Sequence, residues 1–263
     1  MMMEFKDQIG AVIKLDKKPM RIVSIVPSQS EFLWDIGLRD QLVGITKFCI
    51  HPTEMFNTIE RVGGTKKLDI DKIRALKPDL IIGNKEENER VDIELLQKEF
   101  NVWMSDIYNF EDSFEMMNSL GVILGKENET NKIVNDIKNS LNELKNIFTK
   151  QTVAYFIWNN PYMLAASNTF IDFVLGYLGL RNAVSYLERY PELDEIALRE
   201  LKIDYCFLSS EPFPFKESHI KELQVILPNT KIVIVDGEVF SWYGTRLLHL
   251  NAYIKDLNKQ LNA

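Results

Sequence analysis

"KENETNKIVNDIKNSLNELKNIFTK", residues 126–150, contains neither glycine nor proline and places Ile133, Ile137, Leu141, Leu144 and Phe148 three or four positions apart. That is the apolar stripe of one amphipathic helix, about 35 Å long at 1.5 Å per residue. What flanks it decides the fold. On the N-terminal side the short apolar runs "RIVSIV" (21–26), "LVGIT" (42–46), "DLIIG" (79–83) and "NVWMS" (101–105) read as strands. On the C-terminal side "TVAYFIW" (152–158), "DYCFLS" (204–209) and "KIVIVD" (231–236) do the same. Helical patterns fall between them, at "SQSEFLWDIG", "DIDKIRALK", "ERVDIELLQKEF" and "SFEMMNSLGVILG". Such alternation predicts an α/β fold with mostly parallel sheets. The chain therefore reads as an N-terminal lobe (1–125), a bridging helix (126–150) and a C-terminal lobe (151–263). Ser28 with Glu31 reads as a capping box, and Gly37 as the helix stop.

One internal similarity links the two halves. "RALKPDLIIGNKE" (74–86) aligns without gaps on "RELKIDYCFLSSE" (199–211), matching Arg, Leu, Lys, Asp and Glu. Both copies end in a polar loop holding a glutamate just past a strand. In open parallel sheets ligands bind beyond the carboxyl ends of the strands.

Composition narrows the function. The chain has 263 residues, 46% hydrophobic and 26% charged, with a net charge of −7. An acidic balance argues against nucleic acid as the main partner. No run approaches the ~18 apolar residues of a membrane span. The first residues show no basic stretch followed by an apolar stretch and a cleavage site, so the expectation is a cytoplasmic protein, or a periplasmic one if the native start lies upstream. Two cysteines make no disulfide framework, and Cys206 reads as a buried strand residue. No nucleophile elbow, P-loop, dinucleotide fingerprint or zinc-protease motif is present, so no enzyme is expected.

The loops after the strands carry the chemistry: "PSQSE" (27–31), "KFCIHP" (47–52), "NKEEN" (84–88), "SSEPFPF" (209–215), "DGEVFSWYGTR" (236–246), with "FIWNNPYM" (156–163) as a sixth. With parallel sheets in facing lobes, they would enclose a cleft lined by Phe48, Trp158, Phe213, Trp242 and Tyr243. Lys47, Glu86, Glu211 and Arg246 would be its polar anchors, a ligand pocket in character. Ser28 and Gln29 would donate from a helix N-terminus, and Asn84 and Glu86 would meet ligand polar groups. Duller readings exist: Phe48 as core edge, Glu86 and Glu87 as a solvated helix start, Arg246 paired with Glu238 or capping a carbonyl. Cys49 and His51 in "FCIHP" are candidate ligands for a zinc-like metal. His219 and His249 sit in helical patterns.

At "RIVSIVPSQSEFLWDIGL", "LVGITKF", "IRALKPDLII" and "SSEP" the chain resembles the periplasmic cobalamin- and ferric-siderophore-binding proteins of ABC importers, the helical-backbone metal receptors. The resemblance covers nearly the whole chain from about residue 20. It implies two Rossmann-like α/β lobes joined by one long helix, with a metal-containing organic ligand (cobalamin, another corrinoid or a ferric siderophore) held as cargo and no intrinsic cofactor. It also implies docking on an ABC-importer permease through one acidic residue per lobe. Asp71 falls at the matching place in the first lobe; in the second the match lands near Ile196, with Glu195 adjacent. Two other readings stand beside it: a cytoplasmic metal-ion receptor or chelatase-like protein using Cys49 and His51, and a scaffold whose aromatic loops meet another protein.

Overall fold

The apolar runs become the central strands of two sheets in a computed structural model that describes residues 2–262. In chain order the first part contains β1 (Met3–Lys6), β2 (Val12–Leu15), β3 (Ile22–Ser24), α1 (Pro27–Asp35), β4 (Leu42–Ile45), α2 (Thr53–Thr58), β5 (Glu60–Arg61), β6 (Gly63–Gly64), β7 (Lys67–Leu68), α3 (Ile70–Leu76), β8 (Leu80–Asn84), α4 (Arg90–Leu96), β9 (Val102–Ser105) and α5 (Phe110–Leu124). After α6 (Glu127–Asn142) come β10 (Thr152–Trp158), β11 (Tyr162–Leu164), α7 (Phe170–Tyr177), β12 (Arg181–Asn182), β13 (Glu192–Leu193), α8 (Glu195–Glu200), β14 (Tyr205–Ser209), α9 (Glu217–Ile226), β15 (Lys231–Val235), α10 (Gly237–Ser241), a 3-10 turn (Gly244–Arg246) and α11 (Leu247–Asn262).

The chain forms two compact units. Unit 1 is Met1–Ile137 with Trp242–Arg246; unit 2 is Lys138–Ser241 with Leu247–Ala263. The division therefore falls inside α6, and five late residues return to unit 1, neither of which the sequence reading anticipated. The helix expected over 126–150 ends at Asn142. Beyond it the N–H groups of Asn146, Phe148 and Lys150 donate to the carbonyls of Tyr177, Leu178 and Gly179. Asn146 and Lys150 are left-handed (φ 58° and 67°), which no α-helix accommodates.

Unit 1 carries a five-stranded parallel sheet in the order β5-β4-β3-β8-β9. Strands β3, β8 and β9 are buried at every position, as expected of a parallel sheet covered on both faces. Val23, Ile25, Ile81 and Met104 pack with Ile73 of α3 and Leu96 of α4. Each such fully buried aliphatic side chain contributes roughly 1.5–3 kcal/mol. Unit 2 has the order β13-β11-β10-β14-β15, with β10, β14 and β15 parallel, β11 antiparallel to β10, and β12 also pairing β10. Its core joins Ala154, Phe156, Cys206 and Leu208 to Leu198, Leu223 and Ile226.

The internal similarity is a repeated piece of structure. Asp69 caps α3 by accepting from the Lys72 N–H, and Asp194 caps α8 by accepting from the Ala197 N–H. Each helix leads, in the same register, to a fully buried strand, β8 or β14. The aspartate before each strand clamps the adjacent central strand. Asp79 accepts from the Met20 and Arg21 N–H groups and donates its own N–H to the Arg21 carbonyl. Asp204 does the same with Thr152.

The β1–β2 hairpin went unread in the sequence. It covers the outer edge of β9: the Gln8 N–H donates to the Met104 carbonyl, and Asp7 Oδ2 accepts from the Met104 N–H at 3.2 Å. Asp7 Oδ1 meanwhile takes the N–H groups of Ile9 and Ala11. An open strand edge is a template for aggregation, and this contact closes part of it. Asp7→Ala leaves a buried Met104 N–H without a partner. We expect a loss of about 2 kcal/mol in urea denaturation; a change below ~0.5 kcal/mol would show that the hairpin contributes nothing there.

Candidate functional site

The polar loops at the carboxyl ends of the parallel strands form one rim on each unit. In unit 1, β3 runs directly into α1. The expected capping box is not formed, because Pro27 takes the first helical position, Val26 is the N-cap without a side-chain bond, and Ser28 lies inside the helix. Glu31 is thereby free to pair elsewhere, while Gly37 does follow the helix end with φ +80°.

The loop after β4 holds Lys47 and Phe48 outward. Phe48 is 49% exposed, and Lys47 Nζ lies 5.0 Å from its ring centroid, a cation–π distance. The Lys47 N–H is fixed by the Gly63 carbonyl at 2.8 Å. Cys49 points the other way. Its buried thiol sits 3.2 Å from Ser30 Oγ and 3.1 Å from Thr46 Oγ1, and burial pushes its pKa up, keeping it a neutral thiol. His51 instead has the Trp242 ring at 6.0 Å. Among the described residues no group of three or more His, Cys, Asp or Glu could hold a metal ion. Of the two residues expected to hold a metal, Cys49 has its thiol committed to two hydroxyls in the core and His51 lies against Trp242.

The loop after β8 is built on two asparagines. Asn84 Oδ1 accepts from the N–H groups of Glu86 and Glu87, and its Nδ2 donates to Ser105 Oγ at 2.9 Å. Asn88 Oδ1 accepts from the Asn84 N–H, and its Nδ2 donates to the carbonyls of Ile25 and Thr65. Asn84 is buried, and its side-chain bonds shape the loop. Glu86 and Glu87 are half-buried, and Lys66 Nζ reaches the Glu86 carbonyl at 2.7 Å. Burial first, then the charge of Glu86, holds the Glu87 carboxyl above the usual range, with Lys66 opposing.

The segment Trp242–Arg246 departs most from expectation. Trp242 and Tyr243, read as open stacking faces, are both buried. The Tyr243 hydroxyl accepts from Gln29 Nε2 at 3.2 Å, and burial followed by the charge of Glu87 pushes its ionisation upward. The Gly244 N–H donates to Ser113 Oγ. Arg246 pairs with Glu31: Nε lies 3.0 Å from Oε2 and Nη2 2.9 Å from Oε1, with side chains only 11% and 10% exposed. Its guanidinium also stacks 5.1 Å from the Trp242 ring centroid. Aromatics in an irregular loop gave no periodicity from which this burial could be read.

In unit 2, Trp158 ends β10 and is 39% exposed, with the Phe213 ring 5.5 Å away in an edge contact. Phe213 is in turn packed on Phe215 and His219. Glu211 Oε1 accepts from Ser241 Oγ at 3.1 Å, and Ser209 Oγ donates to the Glu211 carbonyl. A Cβ on Gly237 would strike both Ser209 and Glu211, so α10 starts in close contact with this loop. Elsewhere on unit 2 a depression of about 670 Å³ is lined by Tyr162, Glu192, Asp194, Glu195 and Glu222 among others. Burial, then the charges of Glu195 and Glu222, raise the Tyr162 phenol. Glu195 and, on unit 1, Asp71 both lie exposed in the first turn of their helices, beside Arg199 and Arg74.

Known proteins match this arrangement. The sequence profile described as "Periplasmic binding protein" matches residues 22–227. An uncharacterized ABC transporter substrate-binding lipoprotein of Bacillus subtilis is 24% identical over 203 residues, covering 73% of this chain and 64% of the relative. A vitamin B12-binding protein of Vibrio cholerae is 27% identical over 138 residues, 52% of this chain and 50% of the relative. The matches thus span less than two-thirds of these relatives' own length. A crystal structure titled as a periplasmic heme binding protein from Pseudomonas aeruginosa superimposes with a TM-score of 0.79 at 22% identity, covering 91% of this chain and 92% of that one. That likeness establishes the shared fold. No helix among the described residues is long and apolar enough to cross a membrane, and a cytoplasmic residence finds no support in these relatives, one of them named a lipoprotein and another periplasmic. By a match over most of its length, and by a fold of two α/β units with parallel sheets, this chain belongs to the periplasmic binding protein family of substrate-binding proteins, which are not enzymes.

Proposed function

We propose that this protein captures a metal-containing organic ligand, a corrinoid or a ferric siderophore, and hands it to the permease of an ABC importer outside the cytoplasmic membrane. The observation that carries the reading is the pair of exposed aromatic stations at the strand ends: Phe48 under Lys47 on unit 1, and Trp158 against Phe213 on unit 2. Flat faces with a polar handle suit a planar or aromatic-rich cargo. Names of relatives as vitamin B12-binding and ABC transporter substrate-binding proteins support the same class. The metal arrives as part of the cargo with its coordination already provided, which accords with polar loops whose side chains are mostly occupied with one another. Phe48, Lys47, Glu86, Trp158 and Phe213 are the contacts proposed for the ligand. Ser28, Gln29, Asn84 and Tyr243 hold the unit 1 rim in shape, as Arg246 and Trp242 do behind it, and Glu211 does so in unit 2. Asp71 and Glu195 are proposed to meet cationic residues of the permease.

Tryptophan fluorescence during titration with cyanocobalamin, ferric siderophores and haemin, with an inner-filter control, tests the reading. Saturable quenching is expected from one of them. Trp158→Ala should weaken that ligand by about tenfold, the range of an aromatic anchor. Its exposure means the circular dichroism melt should hardly move. No saturable response to any of these compounds would refute capture of this ligand class. Unaltered affinity in Trp158→Ala would remove the unit 2 station from the site.

A further inference from the structure

We propose that His219 is the positioning residue of the unit 2 aromatic station: its neutral imidazole holds Phe213 against Trp158, and a proton on Nδ1 loosens the station. The inference rests on the ligand-capture role proposed above and adds a control to it.

The loop after β14 needs an outside hold. It reads "EPFPF" over 211–215, and the prolines at 212 and 214 have no N–H with which to tie the backbone down. The Phe215 N–H donates back to the Phe213 carbonyl at 2.9 Å, which closes only a local turn. Rings supply the rest. Phe215 is 5% exposed and belongs to the unit 2 core. Phe213 meets it at 4.8 Å, and the His219 ring makes edge contacts with both, at 5.2 Å to Phe213 and 5.5 Å to Phe215. Trp158, from the end of β10, completes the row at 5.5 Å from Phe213. The imidazole therefore stands one ring away from the exposed tryptophan.

The same imidazole fastens the start of α9. At the third position of that helix its Nδ1 accepts the Lys216 N–H at 2.8 Å, while the His219 N–H donates to the Lys216 carbonyl at 2.9 Å. Glutamate or glutamine usually serves at this place, and neither brings a ring. Phenylalanine would bring a ring and no acceptor. Histidine does both, and only while Nδ1 carries no proton, since an imidazolium has two donors and no acceptor. Such a bond is present above the range in which histidines take up a proton, about pH 5 to 8, and is lost as the pH falls through it. Protonation sets one N–H against another. The ring must then part from the first turn of α9, and Phe213 and Phe215 lose the edge that packs on them.

The charged and titratable groups on the surrounding elements are Lys216, Glu217, Lys221 and Glu222 at or within α9, Glu211 in the loop, Glu195 and Arg199 on the adjoining α8, Tyr162 on β11 and Lys231 on β15. Among the described residues none of their side chains bonds the imidazole, so the Lys216 N–H is the contact that a proton disrupts.

The test reads the station with and without ligand at about pH 7.5 and about pH 5.5, in the unmodified protein, His219→Gln and His219→Phe. Trp158 is 39% exposed and the other three tryptophans at most 8%, so quenching by acrylamide, an uncharged probe, follows it, with Trp158→Phe as the background. On acidification of the unmodified protein this quenching should rise by up to about twofold. Affinity for cyanocobalamin or ferrichrome, neither of which changes charge over the interval, should fall about fivefold, the worth of one aromatic pair. Glutamine keeps the cap and removes the ring, so His219→Gln should begin with higher quenching and weaker affinity and show no further change with pH. His219→Phe should hold the station better than glutamine does and also ignore pH. Circular dichroism melts at both pH values check folding; should His219→Phe melt early for want of a cap, His219→Gln supplies the comparison. Quenching and affinity that do not respond to pH in the unmodified protein, or a response that persists in His219→Gln, overturn the assignment of His219 and leave ligand capture intact. A quenching response abolished in His219→Gln, with cyanocobalamin, ferrichrome and haemin all unbound at either pH, upholds the hold of His219 on Trp158 and overturns the capture reading instead.

Discussion

Arg246→Met should lower the stability of unit 1 by about 3–5 kcal/mol, because it takes the guanidinium away from the Glu31 carboxylate in a site where only a tenth of that side chain sees water. The guanidinium grips that carboxylate with two nitrogens at 3.0 and 2.9 Å and covers the Trp242 ring. Methionine keeps most of the packing, so the expected loss is chiefly electrostatic. Urea denaturation of Arg246→Met, Glu31→Gln and the double variant closes a thermodynamic cycle. The double variant should be clearly more stable than the sum of the single losses implies, since neutralising both partners leaves no charge stranded. If Arg246→Met costs less than ~1 kcal/mol, the pair is not what holds the returning segment to α1. The result matters for function because the same segment carries Tyr243, which shapes the proposed ligand rim.

Gly63→Ala should cost about 3 kcal/mol and weaken ligand binding at the same time. Gly63 has φ +98°, a conformation that L side chains rarely adopt. A Cβ there would lie 2.6 Å from the Lys67 carbonyl oxygen and 2.8 Å from the Asp69 nitrogen, both backbone atoms that cannot step aside alone. The β6–β7 hairpin must shift, and its shift is transmitted to the loop after β4 through the bond from the Lys47 N–H to the Gly63 carbonyl. The lysine and phenylalanine proposed as a ligand station hang from that bond. Denaturation midpoint and ligand affinity should therefore fall together. A variant that loses stability but binds as before would show that Lys47 and Phe48 do not contact the ligand.

What could be read from the sequence was what repeats. The strands β3, β4, β8, β9, β10, β14 and β15 announced themselves as β-branched runs, because a parallel strand buried on both faces has little room for polar residues. The similarity between residues 74–86 and 199–211 pointed to a shared helix–turn–strand piece because the aspartate caps and clamps occupy the same register. The candidate site was legible only as a set of loops. Asn84 looked like a ligand contact since a polar residue past a strand end usually is one; its partner in the turn, Asn88, four positions on, was the overlooked sign that both amides serve the backbone. The burial of Trp242 and Tyr243 and the pairing of Arg246 with Glu31 went unread for a related reason. Their partners, His51, Gln29 and Glu31, lie some two hundred residues earlier, and no local pattern encodes such a pairing.

That long-range pairing has a consequence for the birth of the protein. Domains usually complete themselves in the order in which they leave the ribosome. Here unit 1 needs Trp242–Arg246 to neutralise Glu31 and to satisfy Gln29 and Ser113, yet those five residues are made only after most of unit 2. At 5–20 residues per second the delay is on the order of 10 s. Throughout it the nascent first unit lacks the guanidinium that meets Glu31 of α1 and the two aromatics that are buried beside it. The first unit is thus finished only once most of the second has been made, and the growing chain stays open to chaperones and proteases until then.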